Sequence, residues 1–350
     1  MRRRSLLVAV LSLAVLSAAC GSSDKKNTSN DSSKSVKAPT FPAGSSLAAI
    51  QAKGKLVVGT KFDQPLFGLK NPLNAQIEGF DVEIAKLMAQ GIFGGTVESA
   101  GKKIEFVETV SKVREPSIVD GKVDIVVATY TINDARKQVV DFAGPYYVAG
   151  QDIMVKKGNT TIKSVTDLNS KKVCSVQGST SIKNVTKQAP QADLSITFDT
   201  YSKCAEALAD GRVEAVTTDD SILAGLVKDS KGAYKLVGAP FTKEPYGIGM
   251  KKGDQVLRAF LNDRLSTIEG NGAWASAFAR TIGTAGIATA APPAIDRYTS
   301  VAAVTTTTAG GSTTSTSGGS SSTTSTSGGS SSTTSTTYST SSSSTTSTTR

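Results

Sequence analysis

Between Ser45 and Thr284, short β-branched runs alternate with amphipathic stretches, and polar residues take over on either side. Apolar runs bounded by turn formers read as strands; apolar recurrence at i, i+3, i+4 reads as helix. Strands are expected at 55–60, 103–108, 123–128, 152–156, 172–176, 194–198, 213–217 and 246–250. Helices are expected at 80–90, 112–120, 180–188, 202–210, 221–228 and 255–269. In the first of these, Ile84, Leu87 and Met88 recur at helical spacing and predict one buried face. The alternation predicts an α/β protein. There is no repeat of the length that builds solenoids.

One pattern occurs twice. Asp120-Gly121-Lys122-Val123-Asp124 precedes a strand running toward Thr129, and Asp210-Gly211-Arg212-Val213-Glu214 precedes one running toward Asp219. In each a helix stops at Gly, which accepts the left-handed cap conformation, and polar residues follow at the strand's carboxyl end. Open α/β sheets bind ligands at those ends. Two such units suggest two lobes sharing a cleft, although a common local motif used twice gives the same pattern.

The ends of the chain are of another kind. Arg2, Arg3 and Arg4 precede an apolar run from Leu6 to Leu16, then Ser17, Ala18, Ala19 and Cys20. That run is too short for a membrane-spanning helix. It resembles a lipoprotein export signal (residues 1–19) cleaved before a lipid-bearing Cys20, in the looser form, with Leu16 four places ahead of the cysteine; ordinary secretion is the alternative. Gly21 to Pro42 reads as a polar tether. From Thr299 onward the chain is nearly all Ser, Thr and Gly, with SGGSSSTTST at 317–326 and again at 327–336. Such a segment buries too little apolar surface to offset the entropy of ordering it. It is expected to be a disordered spacer or a glycosylated stalk.

Charge and composition narrow the function. The net charge of +10 draws on Arg2, Arg3, Arg4 and Arg350, so the body is only mildly basic. This argues against a nucleic-acid partner. With no histidine, there is no Ser-His-Asp triad, His-ligated zinc or imidazole base. Three cysteines are too few for a four-thiolate metal site, and no phosphate-binding glycine loop is present. Binding without cofactor or metal, and no enzyme activity, is the expectation.

The candidate chemistry sits at the two strand ends. Thr129 and Thr131 precede Arg136, whose planar fork of donors suits a carboxylate, and Asp219 offers an acceptor for an ammonium group. Brought together across a cleft, they would clamp a zwitterion.

The order Gly79-Phe80-Asp81-Val82-Glu83-Ile84-Ala85, Thr131…Arg136…Asp141-Phe142…Pro145-Tyr146-Tyr147, Val176-Gln177-Gly178-Ser179-Thr180-Ser181, Thr218-Asp219-Asp220 resembles the polar amino-acid solute-binding proteins of ABC importers over Leu47–Ala279. The resemblance implies a two-lobed periplasmic-binding-protein-like fold, each lobe a mostly parallel sheet flanked by helices, joined by two crossover strands near 147–151 and 239–245. Lobe 1 would comprise 45–147 plus 243–284 and lobe 2 148–242, with a tether at 20–44 and a tail at 285–350. Carried over, Arg136, Thr131 and Thr129 match ligands of the α-carboxylate, Thr180 and Ser181 add donors at a helix start, and Asp219 matches the α-ammonium ligand. Phe62 stands where an aromatic shelf is expected. Lys61 and Arg114 would meet the ligand's side chain, and their two charges favour glutamate, then aspartate. The runs Lys61-Phe62-Asp63-Gln64-Pro65 and Ala128-Thr129-Tyr130-Thr131-Ile132 resemble the actinobacterial glutamate-binding branch. If Lys61 is a solvated rim residue and Arg114 pairs with Glu115, glutamine or asparagine fits better.

Cys174 and Cys204 both fall in the expected lobe 2 of an exported chain, where disulfides persist. A bridge between them is expected, with two buried free thiols as the alternative. The implied partners are a free L-amino acid, a membrane permease with its ATPase, and the outer face of the cytoplasmic membrane through Cys20. The chain is expected to act as a monomer. An amino-acid-sensing lipoprotein or a dehydratase-like enzyme on the same scaffold are the rival readings.

Overall fold

A computed structural model describes residues 34–288 and 291–298. The expected export signal, Cys20 and the serine/threonine repeats lie outside the described residues.

Two five-stranded sheets organise the body. In the first, Ile104–Glu108, Leu56–Thr60 and Ile125–Val126 run parallel, followed by Glu244–Lys251 and Val140–Ala149. In the second, Thr197–Phe198, Val173–Val176 and Ala215–Asp219 run parallel, followed by Gln151–Lys156 and Tyr234–Leu236. Each sheet has a single strand running against the others, Glu244–Lys251 in one and Gln151–Lys156 in the other. The α/β, mostly parallel expectation therefore holds for both lobes. Two passages connect them: Val140–Ala149 leads through Gly150 into Gln151–Lys156, and residues 237–243 lead back into Glu244–Lys251.

Alternation along the strands explains why both faces of each sheet are covered. Ile125 and Val127 enter one apolar cluster of lobe 1, while Val126 between them enters another with Ile118, Tyr130 and Phe142. In lobe 2, Ile153 and Val155 face one cluster and Met154 the other. A helix layer on each face follows from that division.

The Thr180–Gln188 helix matches its expected bounds, and Gln255–Gly270 extends the expected one by a residue. Phe80–Phe93 is buried around most of its circumference, not on one face only, because other helices pack beside it: Arg264 donates to the Leu87 carbonyl at 3.0 Å. Both expected Gly caps are left-handed, Gly121 at φ 68° and Gly211 at φ 75°. Sequence reading missed a small antiparallel sheet of Asp63–Gln64, Gly68–Lys70 and Ile77–Glu78, strands too short to carry a period.

Two end segments pack where a tether and a tail were expected. Val36 and Gly95 exchange backbone hydrogen bonds at 3.0 and 2.8 Å, and the Phe41 ring meets Phe260 edge-on at 5.2 Å. At the other end, the Phe142 N–H donates to the Tyr298 hydroxyl at 2.8 Å and the Asp296 N–H to the Gly144 carbonyl at 2.8 Å. Residues 34–44 and 291–298 thus lie against lobe 1, because isolated apolar residues in each (Phe41, Ile295) reach its core.

Cys174 and Cys204 form the expected disulfide, with Cα atoms 5.5 Å apart. It ties a buried strand to the helix covering it.

Candidate functional site

The carboxyl ends of the strands in both sheets converge on one small cavity. Lobe 1 contributes Gln64, Ser111, Arg114, Thr129 and Thr131; lobe 2 contributes Ser179, Thr180, Ser181, Tyr201, Thr218, Asp219 and Ile222. The cavity lies at the strand ends of open α/β sheets, where ligand crevices form.

Lobe 1 builds its wall around a distorted turn. Thr129, directly after the Ile125–Val126 strand region, has φ +44°, a left-handed conformation rare for a branched residue. Asp81 holds it there: the Thr129 N–H donates to Asp81 Oδ2 at 2.8 Å and the Tyr146 hydroxyl to Asp81 Oδ1 at 2.6 Å. Burial raises the Asp81 pKa to about 6, although both bonds favour the carboxylate. The turn presents carbonyls inward, and Arg114 Nη1 donates to Ala128 O at 2.9 Å and Thr129 O at 3.3 Å. The Arg114 guanidinium lies 4.3 Å from the Tyr130 ring centre, a cation–π contact. The Thr129 hydroxyl donates to Gln64 Oε1 at 3.0 Å, so Gln64, too, is set by this turn.

Lobe 2 supplies a helix start and a strand end. Ser179 caps the Thr180–Gln188 helix by accepting from the Ile182 N–H at 3.1 Å. The Ser181 and Thr218 hydroxyls lie 3.2 Å apart, and the Tyr201 hydroxyl is 3.4 Å from that of Ser181. Asp219 ends the Ala215–Asp219 strand, 4% exposed, and Tyr246 donates to its Oδ2 at 2.5 Å. Burial first, then the nearby charge of Glu244, raises the Asp219 pKa to about 7.

Two atoms decide what the cavity suits. Arg114, 3% exposed, keeps its Nε without a partner, and Asp219 keeps its Oδ1 without one. A buried polar atom without a partner costs free energy until something pairs it. A cation on one lobe and a carboxylate on the other, both lining one cavity, match the two ends of a zwitterion.

The sequence-expected residues divide accordingly. Arg114, Thr129, Thr131, Thr180, Ser181 and Asp219 line the cavity. Arg136 does not. Its Nε donates to Glu115 at 3.0 Å, its Nη1 to Thr131 O at 2.7 Å and its Nη2 to Gly178 O at 3.4 Å, and it faces an adjoining groove bordered by Ser179, Thr180 and Lys183. Glu115 thus pairs with Arg136, not with Arg114. Lys61 is neither on the rim nor in the wall: it is 2% exposed and donates to Ser111 Oγ at 2.9 Å, one residue behind the cavity surface. Burial first, then Arg114, lowers its pKa to about 7. Phe62 does not line the cavity; its ring lies 5.8 Å from the Lys70 ammonium, and the aromatic residue in the wall is Tyr201. The Thr180 hydroxyl points to Glu244 Oε2 at 2.9 Å.

Gln64, Ser111, Ser179, Tyr201, Thr218 and Ile222 were not singled out as ligand residues. Gln64 and Tyr201 carry no sequence signal, since the small sheet and the closure of lobe 2 bring them in. Ser179 is the one that helix-start chemistry reveals.

A sequence profile of the bacterial extracellular solute-binding proteins, family 3, matches residues 56–284. The chain belongs to that family. Among its curated relatives, the ABC transporter glutamine-binding protein GlnH of Bacillus subtilis (strain 168) is 43% identical over 269 residues, 77% of this chain and 92% of the relative. The glutamate-binding protein GluB of Corynebacterium glutamicum is 39% identical over 246 residues, 68% of this chain and 81% of the relative. A solved structure, an ancestral arginine-binding protein bound to glutamine, superposes with TM-score 0.60 at 38% identity, covering 66% of this chain and 98% of the other. As a family 3 solute-binding protein the chain is a carrier of a small solute. Among the described residues no helix is long and apolar enough to cross a membrane, and no cluster of metal-ligating side chains occurs.

Proposed function

We propose that the protein captures one polar amino acid between its lobes, glutamate before glutamine, and presents it to an ABC permease. The observation that carries this reading is that the two oppositely charged residues lining one cavity from opposite lobes, Arg114 and Asp219, each keep a buried polar atom without a partner, Nε and Oδ1. In it, Arg114 takes a ligand carboxylate with help from Thr131 and the donors at Ser179–Ser181, where a helix N-terminus favours an anion. Asp219 takes the ammonium.

The order of preference rests on Lys61. A second buried cation one residue behind the wall, next to Ser111, suits a second carboxylate better than an amide. Glutamine remains the rival because the relatives include both a glutamine- and a glutamate-binding protein. Lobe closure supplies the remaining contacts, and contacts made only when closed shift the population toward that state. Anchoring through Cys20 would keep the carrier near its permease.

Calorimetric titration of the body with all the common amino acids tests the reading. Micromolar affinity for glutamate, weaker for glutamine and absent for arginine and leucine, is expected. Binding of a cationic or apolar amino acid in preference would overturn it.

A further inference from the structure

The Tyr201–Ala209 helix lacks a cap of its own: the hydroxyl of Thr200, at its N-cap position, meets the Ser202 hydroxyl at 3.2 Å and accepts from no backbone N–H of the first turn. The missing acceptor comes from the other lobe. Asp63 Oδ2 accepts from the Tyr201 N–H at 2.9 Å and from the Ser202 N–H at 3.5 Å. Asp63 belongs to the small antiparallel sheet of lobe 1, and Tyr201 is a wall of the cavity, so this cap spans the cleft.

The same corner receives a second residue of lobe 1. Lys112 Nζ pairs with Asp199 at 2.7 Å. Beside it the lobes touch backbone to backbone: Gly178, at φ +75°, lies so close that a Cβ there would sit 2.6 Å from Lys112 Cα. Any larger residue at 178 would hold the cleft ajar. The 199–202 corner is thus clasped by Asp63 and Lys112, with no ligand atom involved.

We infer that Asp63 is a closure latch, a carboxylate that caps a helix of the opposite lobe only when the cleft is shut. Opening leaves the first N–H groups of Tyr201–Ala209 to water and separates the carboxylate from the positive end of the helix. The latch favours the closed state by the same amount whatever amino acid is inside. It sets residence time and the resting degree of closure, and leaves selectivity to Arg114, Lys61 and Asp219. Lys112–Asp199, half exposed, adds a weaker grip that salt screens.

The inference rests on capture by closure, and its test separates the two. Asp63 also supports the charge on Lys61, so measurements are made at pH 6, which favours the protonated amine. Interlobe distance is read from a pair of spin labels, one per lobe, and dissociation of glutamate and of glutamine by stopped flow. Asp63→Ala is expected to shift the distance distribution toward open and to speed dissociation of both ligands by the same factor, about five-fold. Asp63→Asn, whose amide oxygen caps as well, restores most of both. Unchanged distances and rates would overturn the latch. Faster loss of glutamate alone, at unchanged distances, would assign Asp63 to Lys61 and equally overturn it. If neither amino acid binds, the proposed ligand fails while the distance distribution still decides the latch.

Discussion

Glu115 Oε1 accepts a hydrogen bond from Arg136 Nε at 3.0 Å, and the other two nitrogens of that guanidinium each donate to a carbonyl, Thr131 O at 2.7 Å and Gly178 O at 3.4 Å. Arg136 therefore braces the cavity wall from behind, while Arg114 stands in the wall with an unpaired nitrogen. Arg114→Ala is expected to cost about 2–5 kcal/mol of binding to every amino acid carried, because a desolvated charge loses its partner. Arg136→Ala should cost distinctly less, about tenfold in affinity, through a loosened Thr131. Titration of both variants checks the order. The reverse order would mean that Arg136 leaves Glu115 for the ligand.

Lys61 is expected to decide between an acid and its amide. In Lys61→Met the buried stem is replaced at similar length without charge, so glutamate should weaken at least about tenfold while glutamine changes little. Competition titration reads the ratio directly. Equal loss of both ligands would remove Lys61 from the specificity argument.

The same groups make binding pH-dependent with opposite signs. Asp219, raised to about 7, must be ionised to hold an ammonium; a bound cation lowers its pKa, so either ligand releases protons near pH 6 and binds more tightly as pH rises. Lys61, lowered to about 7, must be protonated to hold a second carboxylate; a bound anion raises its pKa, so glutamate alone takes up protons near pH 8 and weakens as pH rises further. Calorimetry in buffers of different ionisation enthalpy measures both. Proton uptake with glutamine at pH 8 would contradict the assignment.

The disulfide should matter to lobe 2 and little to the cavity. Replacing Cys174 and Cys204 together by Ser opens a loop of sequence separation 30 and is expected to lower stability by about 2–4 kcal/mol, seen in denaturant midpoints. Neither cysteine lines the cavity, so affinity at 25 °C should stay within about twofold.

Tyr298 is expected to separate a structural end from a dispensable one. Its ring lies 4.5 Å from the Arg258 guanidinium and 4.4 Å from the Lys137 ammonium, and its hydroxyl accepts from Phe142. A chain ending at Tyr298 should melt like the full chain, whereas one ending at Ala291 should lose about 2–3 kcal/mol. Thermal unfolding of the pair decides this; equal melting would make the segment a passive neighbour.

Local signals carried much of this protein. Apolar periodicity at 80–90, 180–188 and 255–269 and the Gly121 and Gly211 caps are properties of neighbouring residues, so the sequence alone determined those helices, most strands of the two main sheets and the doubled strand–helix plan, but not the Ser46–Lys53 and Ala273–Arg280 helices or the Val140–Ala149 strand. It also marked Thr131 and Asp219, because each lies where a strand is expected to end at the cleft, and Arg114 through the resemblance alone. Only the tertiary structure decided which of two arginines lines the cavity, since that depends on Glu115, next to Arg114 in the chain, pairing instead with Arg136, 21 positions on. It likewise placed Tyr201 in the wall, put Lys61 behind Ser111 and gave Asp63 a helix of the opposite lobe to cap. Those are contacts across 50 to 138 positions of chain, and no local pattern encodes a side chain's choice among acceptors that only folding brings within reach.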